Sequence, residues 1–323
     1  MRTRLVLAAL LGLGLGAVVP AAAAGRFAEP GDRDLTLTVG GRARTYLVHL
    51  PPRFRERAPL PILLAFHGGG GTAAGFKAYS GLDAVADREG FVVVYPDGSG
   101  RPGRRLLTWN AGDCCGFARD VNVDDVGFAL ALLADLATDL PLDRRRVYAT
   151  GHSNGAMMAY RVALEAAARI AAIAPVAGMM VADPFAPAAP VPVLHIHSVD
   201  DPRALYAGGL GPAFPFTRIR VAHRPVEAGL ARWIARAGCP VAGQVVETRA
   251  TPPDARGRRH TAIRWRWGPC ASAAEVELWK LTGAGHGWPG GPSPLPEGVM
   301  GPDTTVISAA EEVWRFVRRF RRP

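Results

Sequence analysis

The sequence predicts an α/β chain, a mostly parallel central sheet with helices on both faces. Three observations predict it. Short, continuously apolar runs, the mark of strands buried on both faces, alternate with helix-length segments. One such run, Arg146 to Thr150, tightens through Gly151-His152-Ser153-Asn154-Gly155 and leaves as a helix rich in Ala and Met. No internal repeat and no long Ser/Thr/Pro linker divides the 323 residues, so one large core is expected.

The chain opens with Arg2 and Arg4, an apolar stretch from Leu5 to Val19, and the small residues Ala22-Ala23-Ala24. This is the order of a secretory signal peptide spanning residues 1–24, shorter than a membrane span and followed by cleavable alanines. Export is expected, to the periplasm or outside the cell, with no stable membrane insertion after signal removal. A single domain, 25–323, remains. Asp34 to Val39 and Arg44 to Leu50 alternate apolar and polar residues around Gly40-Gly41, which predicts a β-hairpin. Pro61 to Phe66 is a buried strand ending in His67-Gly68-Gly69-Gly70-Gly71. A helix over 73–88 follows, then a second buried strand over 90–95, stopped by Pro96-Asp97-Gly98.

Leu106 to Asp120 is dense in turn formers and reads as a loop. Val123 to Leu140 reads as one long helix with Asp124 and Asp125 in its first turn, where acids suit the helix dipole. After the Gly-His-Ser-Asn-Gly turn come a run over 170–176 and a strand over 191–197. A mostly helical stretch covers 214–238. Val245 to Arg249 and Thr261 to Trp267 predict an edge hairpin, Ala274 to Leu281 a last core strand, and Thr305 to Phe320 a closing helix.

The formal charge of +10 raises the question of a nucleic-acid partner. The arginines are scattered and mixed with acids, apart from Arg318-Arg319-Phe320-Arg321-Arg322, and no nucleic-acid-binding motif accompanies them. No nucleic-acid partner is expected. Four cysteines in an exported chain point to disulfides. Cys239 and Cys270 bracket the edge hairpin and are the expected pair. A bridge between the neighbours Cys114 and Cys115 requires α-carbons closer than the usual disulfide range, so their state stays open.

G-x-S-x-G between a strand and a helix is the context of a nucleophile elbow, which lifts a serine hydroxyl onto a sharp turn. Ser153 is therefore the candidate nucleophile. A serine needs a base, itself oriented by an acid. His286, in Gly285-His286-Gly287 between the last strand and last helix, is the histidine whose position fits. His223 and His260 read as surface residues. The acid should follow the strand ending at His197, where Asp200 and Asp201 are both available and spacing does not separate them. Asp183 is a third candidate on an earlier loop. His195 and His197 share a strand face but lack further ligand spacing, so a buried hydrogen-bonded pair is expected rather than a metal site. Two backbone N–H groups should face the oxyanion. Asn154 supplies one, and the glycine run after His67 the other, with Gly69 the first choice and Gly70 next.

With these residues in place, the chain resembles the exported esterases grouped with polyhydroxybutyrate depolymerases and the related feruloyl and acetylxylan esterases. The resemblance rests on His67-Gly68-Gly69-Gly70-Gly71, on Trp109 with Cys114-Cys115-Gly116, and on Val123-Asp124-Asp125-Val126-Gly127-Phe128. It continues through Gly151-His152-Ser153-Asn154-Gly155 and Gly285-His286-Gly287-Trp288-Pro289. It implies an α/β-hydrolase fold and ester hydrolysis through an acyl-enzyme, with no metal or organic cofactor. The family pattern His-Gly-Thr-x-Asp, laid on His197-Ser198-Val199-Asp200-Asp201, selects Asp201 as the acid. Ser198, Val199, Ala204 and Leu205 depart from the pattern, which puts substrate preference in question more than the triad. Trp109 and Trp288 are candidate pocket walls. No separate polymer-binding module is visible, which favours soluble or oligomeric esters of hydroxyalkanoate, hydroxycinnamate or acetyl type. The alternatives are a non-catalytic exported binding protein on a hydrolase scaffold, and a serine peptidase or acyltransferase.

Overall fold

The structure, a computed structural model, describes residues 25–103, 106–214, 218–254 and 256–323; the expected signal segment, 1–24, lies outside the described residues. The first hairpin joins β1 (Gly31–Val39) to β2 (Arg42–Leu50). Gly40 and Gly41 turn it at φ of 56° and 72°, a conformation that side chains with a β-carbon resist. β3 (Leu60–Phe66) follows, buried throughout. The single helix expected over 73–88 is two: α1 (Ala73–Ser80) and α2 (Leu82–Glu89). Gly81, left-handed at φ 70°, ends the first and starts the second.

β4 (Val92–Pro96) is the next core strand. The stretch over 106–120, expected as loop, contains a five-residue helix, α3 (Gly116–Asp120). The long helix expected from Val123 is shorter: α4 (Asp125–Leu136), capped by the Asp124 carboxylate on the Gly127 N–H at 2.7 Å. β5 (Leu142–His152) and α5 (Asn154–Glu165) flank Ser153, and β6 (Ala172–Val176) and β7 (Val193–Ser198) follow. Two short strands, β8 (Gly209–Leu210) and β9 (Ala222–His223), then pair with each other. Among the described residues the helix expected over 214–238 is confined to α6 (Val226–Ala237), because Pro225 can start a helix but not sit inside one; residues 215–217 lie outside the described residues. β10 (Gln244–Ala250) and β11 (Thr261–Trp267) form the expected edge hairpin, and β12 (Val276–Thr282), α7 (Glu297–Met300) and α8 (Ala309–Val317) complete the fold.

Among the described residues the main sheet has ten strands in the order β1-β2-β4-β3-β5-β6-β7-β12-β11-β10. Its central six run parallel, and the two hairpins cap its ends antiparallel. One core lies between the sheet and α4, α5 and α6, with Phe128, Met158 and Trp233 buried. The other lies under α1, α2 and α8, with Phe76, Val85 and Phe316 buried. The parallel strands are therefore covered on both sides, which is why their sequences are apolar without alternation. All loops that follow the C-terminal ends of these strands gather at one edge of the sheet, and the candidate residues sit there.

Cys239 and Cys270 form a disulfide that ties the end of α6 to the turn between β11 and β12. Cys114 and Cys115 are bonded to each other within a buried turn. The C-terminal arginine cluster is engaged. Arg318 pairs with Glu89, Arg319 with Glu275 and Glu277, and Arg321 with Asp143. Arg322 donates to the Ala167 and Pro190 carbonyls. Among the described residues, no helix is long and apolar enough to cross a membrane.

Candidate active site

β5 delivers Ser153 and α5 carries the chain away, so the turn between them must be abrupt. Ser153 has φ 57° and ψ −118°, a region that residues with a side chain seldom adopt. The neighbouring backbone holds it there: its N–H donates to Val176 O at 2.9 Å, and its own carbonyl accepts from the Met157 N–H at 3.1 Å. The turn also brings main chains into contact. A β-carbon at Gly155 would collide with the Phe66 and His67 carbonyls, and one at Gly151 with the Gly155 carbonyl. Both positions of the G-x-S-x-G motif therefore exclude any side chain.

The structure joins three distant positions. Ser153 Oγ lies 2.8 Å from His286 Nε2, and His286 Nδ1 lies 2.7 Å from Asp201 Oδ2. Asp201 is buried, and its Oδ1 accepts from the Arg203 and Ala204 N–H groups at 2.7 and 2.8 Å. Burial alone would raise its pKa. The charge of His286 and the hydrogen bonds from His197 and His286 outweigh burial, holding the carboxyl far below the usual carboxylate range. Asp200 is exposed and instead accepts from the Gly283 N–H at 2.7 Å. Asp183 pairs with Arg224 and Arg232. Of the three candidate acids, only Asp201 touches the imidazole.

Asp201 is held in turn by a buried row of side chains that begins with His197. His197 Nε2 is 2.7 Å from Ala204 O and 3.2 Å from Asp201 Oδ2. The carbonyl can only accept, so this nitrogen carries the proton. His197 Nδ1 lies 3.0 Å from His195 Nε2, and His195 Nδ1 lies 3.0 Å from the Tyr160 hydroxyl. The expectation of a hydrogen-bonded pair at His195 and His197 holds. Their i, i+2 spacing on one strand was the available signal; that they back the acid was not legible. His152, beside the nucleophile, donates from Nε2 to the His286 carbonyl at 2.7 Å, and burial, then the charge of His286, pushes its pKa down to about 3.

At the glycine loop, the Gly70 N–H donates to Leu107 O at 2.7 Å and the Gly71 N–H to Gly68 O at 3.0 Å. The N–H groups of Gly69 and Asn154 take no partner among the described residues. A β-carbon at Gly69 would lie 3.5 Å from the Asn154 β-carbon, and one at Gly68 would lie 3.5 Å from that of Ser153, so this loop borders the elbow. A β-carbon at Gly69 would also lie 3.0 Å from the ring of Phe214, a neighbour that the sequence did not announce.

Four expectations are corrected. Trp109 and Trp288 are not pocket walls: both are fully buried, and their indole N–H groups donate to His67 O and Ser80 O at 2.9 Å. Trp109 instead braces the loops, because the Asn154 side chain clamps its backbone, accepting from its N–H at 2.7 Å and donating to its carbonyl at 3.1 Å. His260 is buried, not on the surface. His223 is half-buried near His286 and Asp201; burial, then the charge of His286, pushes its pKa down to about 4.

The family described as esterase PHB depolymerase matches residues 44–223, more than half of the chain. The chain belongs to that family. A protein of Nocardia uniformis subsp. tsuyamanensis named as an esterase, NocK, is 32% identical over 295 residues, covering 87% of this chain and 81% of the relative. A bifunctional acetylxylan esterase/xylanase of Neocallimastix patriciarum is 27% identical over 246 residues, 76% of this chain. Feruloyl esterase B of Piromyces equi is 29% identical over 172 residues, 52% of this chain. The chain spans 31% of the length of each of these last two. Among solved structures, acetyl xylan esterase from Aspergillus awamori superposes with a TM-score of 0.55 at 15% identity, over 89% of this chain and 99% of that one. That likeness concerns the fold, which is the α/β-hydrolase fold. This member of the esterase PHB depolymerase family is an esterase.

Proposed function

We propose that this esterase is an exported, single-domain serine hydrolase, mature from about Gly25, that cleaves carboxylic esters through an acyl-enzyme on Ser153. One observation carries the reading: the unbroken hydrogen-bonded line from Ser153 Oγ through His286 to the buried carboxylate of Asp201. The Ser153 oxygen attacks the ester carbonyl while its proton passes to His286 Nε2. Asp201 holds the imidazole by Nδ1 and stabilises the imidazolium. The carbonyl π electrons move to oxygen, and the Gly69 and Asn154 N–H groups receive the resulting oxyanion. Collapse breaks the bond to the alcohol oxygen, which takes the proton from His286. Water then enters; its oxygen bonds the acyl carbon as one proton passes to His286 Nε2, and the bond to Ser153 Oγ breaks as that proton returns to Oγ, releasing the acid and the free enzyme.

The relatives named as acetylxylan and feruloyl esterases support acetyl and hydroxycinnamoyl esters as substrate classes, and the family description supports hydroxyalkanoate esters. We assign soluble or oligomeric members of these classes. The test uses a short-chain nitrophenyl ester, followed by methyl ferulate, acetylated xylan and hydroxybutyrate oligomers. Ser153→Ala should keep the fold by circular dichroism and lose at least about 10³-fold in kcat. A folded Ser153→Ala enzyme with wild-type turnover removes Ser153 from the reaction. A wild-type protein inert on every ester favours a binding protein instead.

A further inference from the structure

We infer that His67 is a positioning residue that locks the Gly68–Gly69 peptide in the orientation presenting the Gly69 N–H to the oxyanion. The inference rests on the serine-esterase reading above and deepens it. Its starting point is a tautomer that the backbone dictates. The Gly98 N–H points at His67 Nε2 at 2.9 Å. A main-chain N–H can only donate, so Nε2 must be the unprotonated nitrogen. The ring proton therefore sits on Nδ1, which lies 2.7 Å from Gly68 O, a group that can only accept. The imidazole is neutral and donates to the carbonyl of the residue that follows it.

That carbonyl is also held from its other side, by the Gly71 N–H at 3.0 Å. Two donors thus fix the direction of Gly68 C=O. The peptide is trans, so its N–H, which belongs to Gly69, points the opposite way. It faces away from the His67 ring nitrogen that holds the carbonyl, and Ser153 and Asn154 border the loop that carries it. A peptide between two glycines has little steric resistance to turning over, and turning over would put a carbonyl oxygen where the oxyanion must sit. The lock therefore answers a specific hazard of a glycine-rich loop.

The surroundings keep the ring from moving. His67 is buried, and its ring packs against Trp109 at 5.0 Å between centroids. The Trp109 indole holds the His67 carbonyl, and the Trp109 backbone is clamped by Asn154, whose own N–H is the second oxyanion donor. The two donors come from different elements, and Trp109 is bonded to the residues that set both. Gly98 must be glycine for the Nε2 anchor, because a β-carbon there would lie 2.5 Å from Thr108 O.

Two substitutions separate the two nitrogens. Asn places its amide near Nδ1 and can still donate to Gly68 O; Gln reaches Nε2 and can still accept from Gly98, but leaves Gly68 O without its side-chain donor. His67→Gln should lower kcat at least about tenfold on a short nitrophenyl ester with KM within about twofold, against the 10²–10³-fold known for outright loss of one oxyanion donor. His67→Asn should restore most of kcat. Equal kcat in wild type and His67→Gln overturns the inference, as does a loss in His67→Asn that matches His67→Gln. A measurement on the unaltered protein stands beside these variants. Long-range 1H–15N spectra should show His67 as the Nδ1–H tautomer from about pH 6 to 9, whereas a free histidine side chain prefers Nε2–H; an Nε2–H signal overturns the inference even where a variant fails to fold. These outcomes stay distinct from failure of the parent reading, which would appear as unchanged turnover in Ser153→Ala.

Discussion

Asp200 and Asp201 are neighbours with the same side chain, yet the structure gives them opposite surroundings. Asp201 is buried and touches His286, while Asp200 is exposed and caps Gly283. Removing the negative charge should therefore separate them sharply. Asp201→Asn should cut kcat by about 10⁴-fold, the size seen when a triad imidazole loses its carboxylate and adopts the wrong tautomer. Asp200→Asn only weakens the acceptor for one loop N–H, and should change kcat by no more than about threefold. Steady-state kinetics on a nitrophenyl ester reads both; similar losses would put the acid elsewhere. Spacing along the sequence pointed to Ser153, His286 and the loop after β7, residues that the structure brings within hydrogen-bond distance, because each motif is local. It did not separate the two aspartates, since which one turns inward depends on the Arg203 and Ala204 N–H groups that catch the Asp201 carboxylate. The tryptophans misled for a related reason. A Trp beside a motif signals a large apolar surface, but not whether that surface faces a pocket or the core.

At the scale of elements, strands were easier to read than helix ends. The apolar runs at Leu60–Phe66 and Val92–Pro96 admit little besides buried strands, whereas the break between α1 and α2 depends on one left-handed glycine, Gly81. The β8–β9 pair was illegible, because two-residue strands carry no periodicity. The Cys239–Cys270 bridge was legible from its place around the hairpin. It closes a segment of 31 residues between α6 and the β11–β12 turn, on the sheet side away from β5. Closing a loop of that length restricts the unfolded chain by about 3–4 kcal/mol in the chain-entropy account. Replacing both cysteines with serine should lower unfolding free energy in urea by about 2–4 kcal/mol and leave kcat on a short ester unchanged. An unchanged urea midpoint would show that the bridge adds nothing to this fold.

For the molecule as a whole, acid should be the weak side. Burial first, with neighbouring charge, pushes His67 down to about 4, His152 to about 3 and His223 to about 4, and lowers His195 well below its ordinary value. Each of these imidazoles titrates near 6.5 once unfolded. Between 6.5 and the folded values the unfolded chain binds more protons. Their stability contribution is therefore complete above pH 6.5 and is lost as pH falls toward 4, at about 1.4 kcal/mol per pH unit for each group fully in that window. His49 runs the other way. Burial opposes its charge, but Asp32, Asp83 and Asp87 overcome that and raise its pKa, so its contribution is complete below 6.5 and fades as pH rises through the folded value. The urea midpoint should fall steeply between pH 6.5 and 4; a flat profile there would contradict the neutral, buried histidines. None of this was visible in a count of eight histidines, because burial is a property of the assembled sheet. The central claim is that the assembled edge makes the Ser153 hydroxyl a nucleophile. It is tested most directly by treating the folded protein with a fluorophosphonate and mapping the adduct by peptide mass spectrometry. One phosphonyl group on the peptide carrying Ser153, absent in His286→Ala, is the predicted result; no adduct in the wild-type protein, or an adduct on another serine, would contradict it.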